Sequence, residues 1–150
     1  VSALARDVSE VVDGLMPQLL AHWQGVRQRP AADSPAQDAG VPVAYHPPCT
    51  LQHGQQLRGG VERMLRAFDF DVKLAETESH LCCGSAGTYS VTQPALATAL
   101  RDRKLTALAV AQPAPRAIVS GNIGCITHLQ SGTPTPVRHW IELVDERLAG

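Results

Sequence analysis

Apolar positions at Leu4, Val8, Val11, Val12, Leu15 and Leu19 recur at the three- and four-residue spacing of one helix face, which predicts a helical segment over residues 1–25. Gly14 and Pro17 fall inside that pattern. The segment therefore reads either as one kinked helix or as two short helices, with Pro17 opening the second. The pattern then stops. Residues 30–40 are rich in Pro, Ala and Asp and carry no large apolar side chain, the composition of a mobile linker.

From Val41 onward the period changes. Val41–Tyr45 reads as a short buried strand, and Leu57, Val61, Met64, Leu65 and Phe68 mark one face of the helix that follows. Phe70–Leu74 reads as a second strand. Thr92 is placed to cap a long helix bearing Leu96, Leu100, Leu105 and Leu108, with Pro94 tolerated in its first turn. Ala117–Ser120 reads as a third strand, followed by a short helix from about Ile123 that stops at Ser131-Gly132. Thr135–Arg138 is the fourth strand, and Trp140, Ile141, Val144 and Leu148 give the last helix its apolar face.

Strict alternation of strand and helix predicts right-handed βαβ units. The expected fold class is α/β: a parallel sheet of about four strands with helices on both faces, preceded by an N-terminal helical arm. The expected division is a helical arm or connector over residues 1–29, a flexible linker over 30–40 and one cysteine-rich domain over 41–150.

Composition narrows the function classes. A chain of 150 residues that is 44% hydrophobic can bury one ordinary core. Aromatic residues make up only 4%, too few for a stacking platform for bases. With a net charge of −1 and scattered basic residues, no electrostatic footprint for nucleic acid or anionic lipid stands out. No apolar run reaches the length of a membrane span, and no secretory signal precedes Val1. A chain opening on Val rather than Met reads as a piece of a longer protein, from a reducing, cytoplasmic compartment.

The candidate chemistry lies in the four cysteines: Cys49 after Tyr45-His46-Pro47-Pro48, the adjacent pair in Cys82-Cys83-Gly84, and Cys125 in Asn122-Ile123-Gly124-Cys125. Each stands beside the Gly or Pro of a tight turn. Adjacent cysteines are poorly placed to bond each other, and clustered cysteines in a domain with a normal core point to metal or redox work. The alternation puts Cys49 after strand one, Cys82 and Cys83 after strand two, and Cys125 after strand three. In a parallel sheet those loops share the carboxyl edge, where open α/β sheets bind ligands. Gly84-Ser85-Ala86-Gly87 can turn backbone N–H groups toward the sulfurs, and Gly124 can take an unusual backbone angle before Cys125.

Other readings stand beside this one. Cys83 could be a nucleophile with His80, His46 or His128 as base. His128, one helical turn after Cys125, could be a ligand, a hydrogen-bond donor behind a ligand, or a partly exposed helix residue. His46 and His53 flank Cys49 and suit hydrogen bonds to loop backbone. His139 suits stacking on Trp140, and Thr88 and Tyr89 suit ordinary loop packing. Gly84-Ser85-Ala86-Gly87 is too short and badly spaced for a dinucleotide fingerprint, so no flavin is expected on this chain.

At these residues the chain resembles the cysteine-rich CCG domain found in heterodisulfide reductases and related iron–sulfur proteins. The strings "YHPPCTLQHGQQ", "CCGSAGTYS", "NIGCITHLQSG" and "PVRHWIELVDE" resemble the last such domain of the glycolate oxidase iron–sulfur subunits. The resemblance runs from Val41 to the C-terminus, and the first 25 residues resemble the connector before it. It implies Cys49, Cys82, Cys83 and Cys125 as ligands of an iron–sulfur cluster of [4Fe–4S] type or, alternatively, of zinc. The family pattern ends in CxxC, whereas this chain has Cys125-Ile126-Thr127-His128, so His128 joins the candidate metal ligands. The implied role is electron transfer from flavin-containing glycolate oxidase subunits that oxidise glycolate to glyoxylate. Catalysis by the chain alone is not expected, and membrane association would be peripheral, through the complex. A zinc-stapled docking domain is the rival reading.

Overall fold

The computed structural model describes residues 4–28, 40–110 and 113–150. The sequence-predicted linker lies outside the described residues, apart from Gly40.

Four parallel strands, β1 (Val41–Tyr45), β2 (Phe70–Lys73), β3 (Ala117–Ser120) and β4 (Val137–His139), form one sheet in the order β2-β1-β3-β4. Val43 stands opposite Val72 on one side and Ala117 on the other. Among the described residues the α-helices are α1 (Val8–Arg27), α2 (Gly60–Ala67), α3 (Tyr89–Thr92), α4 (Pro94–Ala109), α5 (Ile123–Gln130) and α6 (Trp140–Ala149). The chain steps outward from β1 to β2, then crosses back to β3 and β4. Strand order therefore reverses between β1 and β3, which makes their carboxyl ends the natural ligand crevice.

Period-two alternation divides each strand between two cores. Val43, Tyr45, Val72 and Val119 face the larger core, with Val61, Leu65 and Phe68 around α2 and Trp140, Leu143 and Val144 of α6. Ala44, Ile118 and Val137 face the smaller core, with Leu108 of α4, Leu129 of α5, Cys83 and Cys125. Helices thus cover both faces.

The N-terminal pattern resolves as one continuous helix. Asp7 caps it, accepting from Ser9 N, while Glu10 Oε2 accepts from Asp7 N, so the first turn is fixed at both ends. Pro17 lies on the exposed side, where water can replace the hydrogen bond it removes. The buried face overlaps the first pattern only at Val12 and Leu19. Leu4, Val8, Val11 and Leu15 are exposed, whereas Val12, Trp23 and Val26 are buried. Trp23 meets Phe68 edge-on at 5.4 Å and carries the Arg27 guanidinium 4.8 Å above its ring. One large aromatic outweighs a longer stripe of small aliphatics because it buries more apolar area. α1 is thereby part of the domain core.

Thr92 does not cap the long helix. It ends α3, its hydroxyl donates to Thr88 O, and α4 begins at Pro94 with no side-chain cap.

Candidate metal centre

Each cysteine reaches the crevice by its own local device. After β1 the strand pairing continues one residue further, since His46 N donates to Val119 O at 2.8 Å. Alternation then turns His46 to the same face as Ala44, the face of Cys83 and Cys125. Pro48 O accepts from both Leu51 N and Gln52 N, and Gln52 Nε2 donates to Pro47 O at 2.9 Å. Cys49 therefore caps a wide, π-type helical turn over Thr50–Gly54.

The second delivery is the loop after β2. Glu78 takes a left-handed φ of 56°, and Leu81 N closes back on Glu78 O at 2.9 Å. Gly84 has φ 91°, and its N–H donates to Cys82 Sγ at 3.3 Å. A Cβ at Gly84 would stand 2.5 Å from Ala97 O of α4, so glycine is needed here for angle and for space. This is the backbone-to-sulfur contact that the Gly-rich string predicts.

The third is α5. Asn122 caps it, with Oδ1 accepting from Gly124 N at 2.9 Å and Cys125 N at 3.3 Å. Gly124 is an ordinary helical residue and takes no unusual angle. Its missing Cβ matters instead, because one would crowd Asn122 Oδ1 at 3.1 Å.

All four cysteines are free of disulfides, and these devices bring two of the sulfurs and one imidazole into a single group. Ligand atoms of His46, Cys83 and Cys125 all lie within 4.8 Å of one another, and all three residues are buried. Ser85 Oγ bridges two of them, 3.2 Å from Cys83 Sγ and donating to Cys125 Sγ at 3.6 Å. Cys49 and Cys82 interact side chain to side chain at the partly exposed margin.

The proximity leaves a strong electrostatic signature. Hydrogen bonding from Cys125 holds the Cys83 thiol far below its ordinary range; burial opposes this, and His46 and Ser85 reinforce it. Cys125 is raised in turn, first by that same hydrogen bond and then by burial and the Cys83 charge. The two sulfurs thus titrate as a pair, ionisation of one opposing ionisation of the other. Burial and the Cys82 charge push Cys49 up to about 11. Crowded sulfurs that resist joint ionisation without a cation are the donor set a metal would complete.

His46 supplies an independent test of fit. It is 1% exposed, and neither ring nitrogen has a hydrogen-bond partner. No well-formed hydrogen bond engages the ring; its nearest interaction is with the Cys83 sulfur, whose ionisation it favours. A buried imidazole with both nitrogens idle is costly unless something binds there. Soft sulfur donors with one imidazole suit a thiophilic metal or an iron–sulfur cluster.

The other sequence candidates are placed elsewhere. His128, expected among the metal ligands or behind them, seats Nε2 3.1 Å from Ala97 O, docking α5 on α4 and standing outside the sulfur group. The physical reason is the tight approach of α4, whose Ala97 carbonyl lies within reach of the ring. His139 accepts from Ile141 N as the cap of α6 and tilts against Trp140. His53, His80 and Thr88 are exposed. Sequence reasoning assigned His46 to loop backbone; the signal that would have found it is its period-two match with Ala44.

Residues 43–130 match the CCG family, whose description is "Cysteine-rich domain". Over 106 residues the chain is 53% identical to the glycolate oxidase iron-sulfur subunit of Escherichia coli (strain K12), which covers 71% of this chain and 25% of that protein. The chain therefore spans about a quarter of the length of that relative. No solved structure matches.

Proposed function

The chain belongs to the CCG family of cysteine-rich domains, and from that premise we propose that it is the iron–sulfur, electron-transferring domain of a glycolate-oxidising oxidoreductase. The observation that carries the reading is the convergence of His46, Cys83 and Cys125, with Cys49 and Cys82 at the margin, on the crevice between β1 and β3. In this reading Cys49, Cys82, Cys83 and Cys125 hold the centre, His46 joins them, and His128 only docks α5 on α4. When bound, an iron–sulfur cluster supplies a one-electron carrier. The chain's own residues hold the thiolates, aim Ser85 and the Gly84 N–H at sulfur, and keep water from Cys83.

Residues 41–150 form the cysteine-rich domain of this reading. Glycolate oxidation to glyoxylate would take place on a separate flavin-containing subunit, at the cytoplasmic side of the membrane. Among the described residues no helix is long and apolar enough to cross a membrane, so any association there would run through the complex. A hydrolase built on Cys83 is disfavoured, because that sulfur belongs to a residue with 0% exposure and offers a substrate no approach. The test is anaerobic reconstitution with iron and sulfide. We expect visible absorbance that bleaches on reduction, with an electron paramagnetic resonance signal. A colourless protein carrying one zinc per chain would establish the structural, docking reading instead.

A further inference from the structure

α4 buries one stripe, and a lysine stands in it. Ala97, Lys104 and Leu108 are its buried residues. Lys104 is 1% exposed, as deep as Ala97. Its ammonium donates to Glu78 O at 2.6 Å and reaches Ser79 O at 3.4 Å. Those carbonyls belong to the turn where Glu78 holds a left-handed φ, four residues before Cys82. The neighbouring Arg103 takes the Glu78 carboxylate, with Nε at 2.7 Å from Oε2. Two successive cations thus clamp the turn that launches the cysteine pair.

Two carbonyls do not neutralise a buried ammonium, and an unpaired buried charge is strongly unfavourable. The Glu78 carboxylate is already engaged by Arg103. Glu62, Tyr45, His46 and Lys104 line one cavity of about 140 Å³. Lys104 shares that cavity with His46, whose ring lies within 4.8 Å of the Cys83 and Cys125 sulfurs. Burial lowers the lysine's pKa, and the sulfurs of Cys49, Cys83 and Cys82, with Glu78, act against that.

We propose that Lys104 is a positioning residue and the built-in counter-charge of the thiolate centre, fixing the Glu78–Ser79 turn and setting a buried positive charge beside an anionic metal–sulfur group. A metal held by several thiolates is net negative, and one electron more makes it more so. A fixed cation beside it favours both assembly and reduction. The inference rests on the cysteines holding a metal centre, but not on which metal.

The test uses the full chain in two arms. In the first, cobalt(II) is titrated against a chelator into metal-free protein. Lys104→Gln keeps a donor for Glu78 O but removes the charge, and should weaken cobalt binding about tenfold; Lys104→Arg should restore it. In the second, the reconstituted iron–sulfur centre should become harder to reduce in Lys104→Gln, by about tenfold in the equilibrium, or about 59 mV for one electron. Arg103→Gln, which removes the exposed cation of the same clamp, should shift the potential far less than Lys104→Gln, and an equal shift would count against the buried charge. If Lys104→Gln does not fold, Ser79→Asp, at an exposed position beside the same cavity, offsets the charge with the lysine in place and should shift both readings the same way. Unchanged cobalt affinity in the folded charge-removing variant, or a loss in Lys104→Arg equal to that in Lys104→Gln, overturns the proposal. Cobalt binding without cluster assembly in the wild type would refute the iron–sulfur reading while leaving this inference measurable.

Discussion

Two histidines separate the account at the level of single residues. His46 is idle and buried among the sulfurs, and His128 is occupied by a backbone carbonyl on α4. His46→Ala should therefore lower metal affinity by at least about tenfold. His128→Ala should leave metal content near that of the wild type and cost about 1 kcal/mol of stability, the ordinary net value of one hydrogen bond. Chelator competition on both variants, with thermal unfolding alongside, reads the two effects separately; the reverse ranking would place the ligand on α5. The cysteines stood out in sequence because an adjacent Cys82-Cys83 pair before a glycine is poorly placed to bond itself and two further cysteines follow strands at the same sheet edge. His46 did not, because its direction depends on β1 extending one residue further to pair with Val119, a tertiary fact. His128 was attractive for its spacing from Cys125, yet spacing along one helix says nothing of what a second helix offers the ring.

Elements explain why the thiols stay where they are. α4 is the common wall: its Ala97 carbonyl receives His128 and abuts Gly84, and its Lys104 and Arg103 grip the turn before Cys82. Gly84→Ala would force a strained φ and press a methyl onto that carbonyl. The expected loss is about 2 kcal/mol or more of folding stability, with weaker metal binding because Cys83 is displaced. Denaturant unfolding of the metal-free protein measures the first part, and an unchanged midpoint would contradict the wall. Strand positions were legible because short apolar runs between turn residues have few alternatives, and Val41–Tyr45 and Ala117–Ser120 fall where the pattern puts them. The face of α1 was not. Two overlapping stripes compete on that helix, and only the meeting of Trp23 with Phe68, forty-odd residues away, decides between them.

Across the whole molecule, strand order turns separate motifs into one site. β1 and β3 lie side by side although β2 and the helices α2, α3 and α4 come between them in sequence. Their carboxyl ends therefore deliver His46, Cys49 and Cys125 to one crevice, which the loop after β2 closes with Cys82 and Cys83. The alternation made the shared edge predictable, but the order β2-β1-β3-β4 depends on packing between distant segments and could not be read locally. The central claim is that this crevice holds an iron–sulfur electron carrier. X-ray absorption at the iron and zinc edges, on the chain isolated without oxygen, tests it most directly. The account predicts iron in a sulfur-dominated shell with a second iron nearby, both lost in Cys83→Ser. Zinc alone in that sulfur shell, or iron bound only by oxygen and nitrogen, would contradict it.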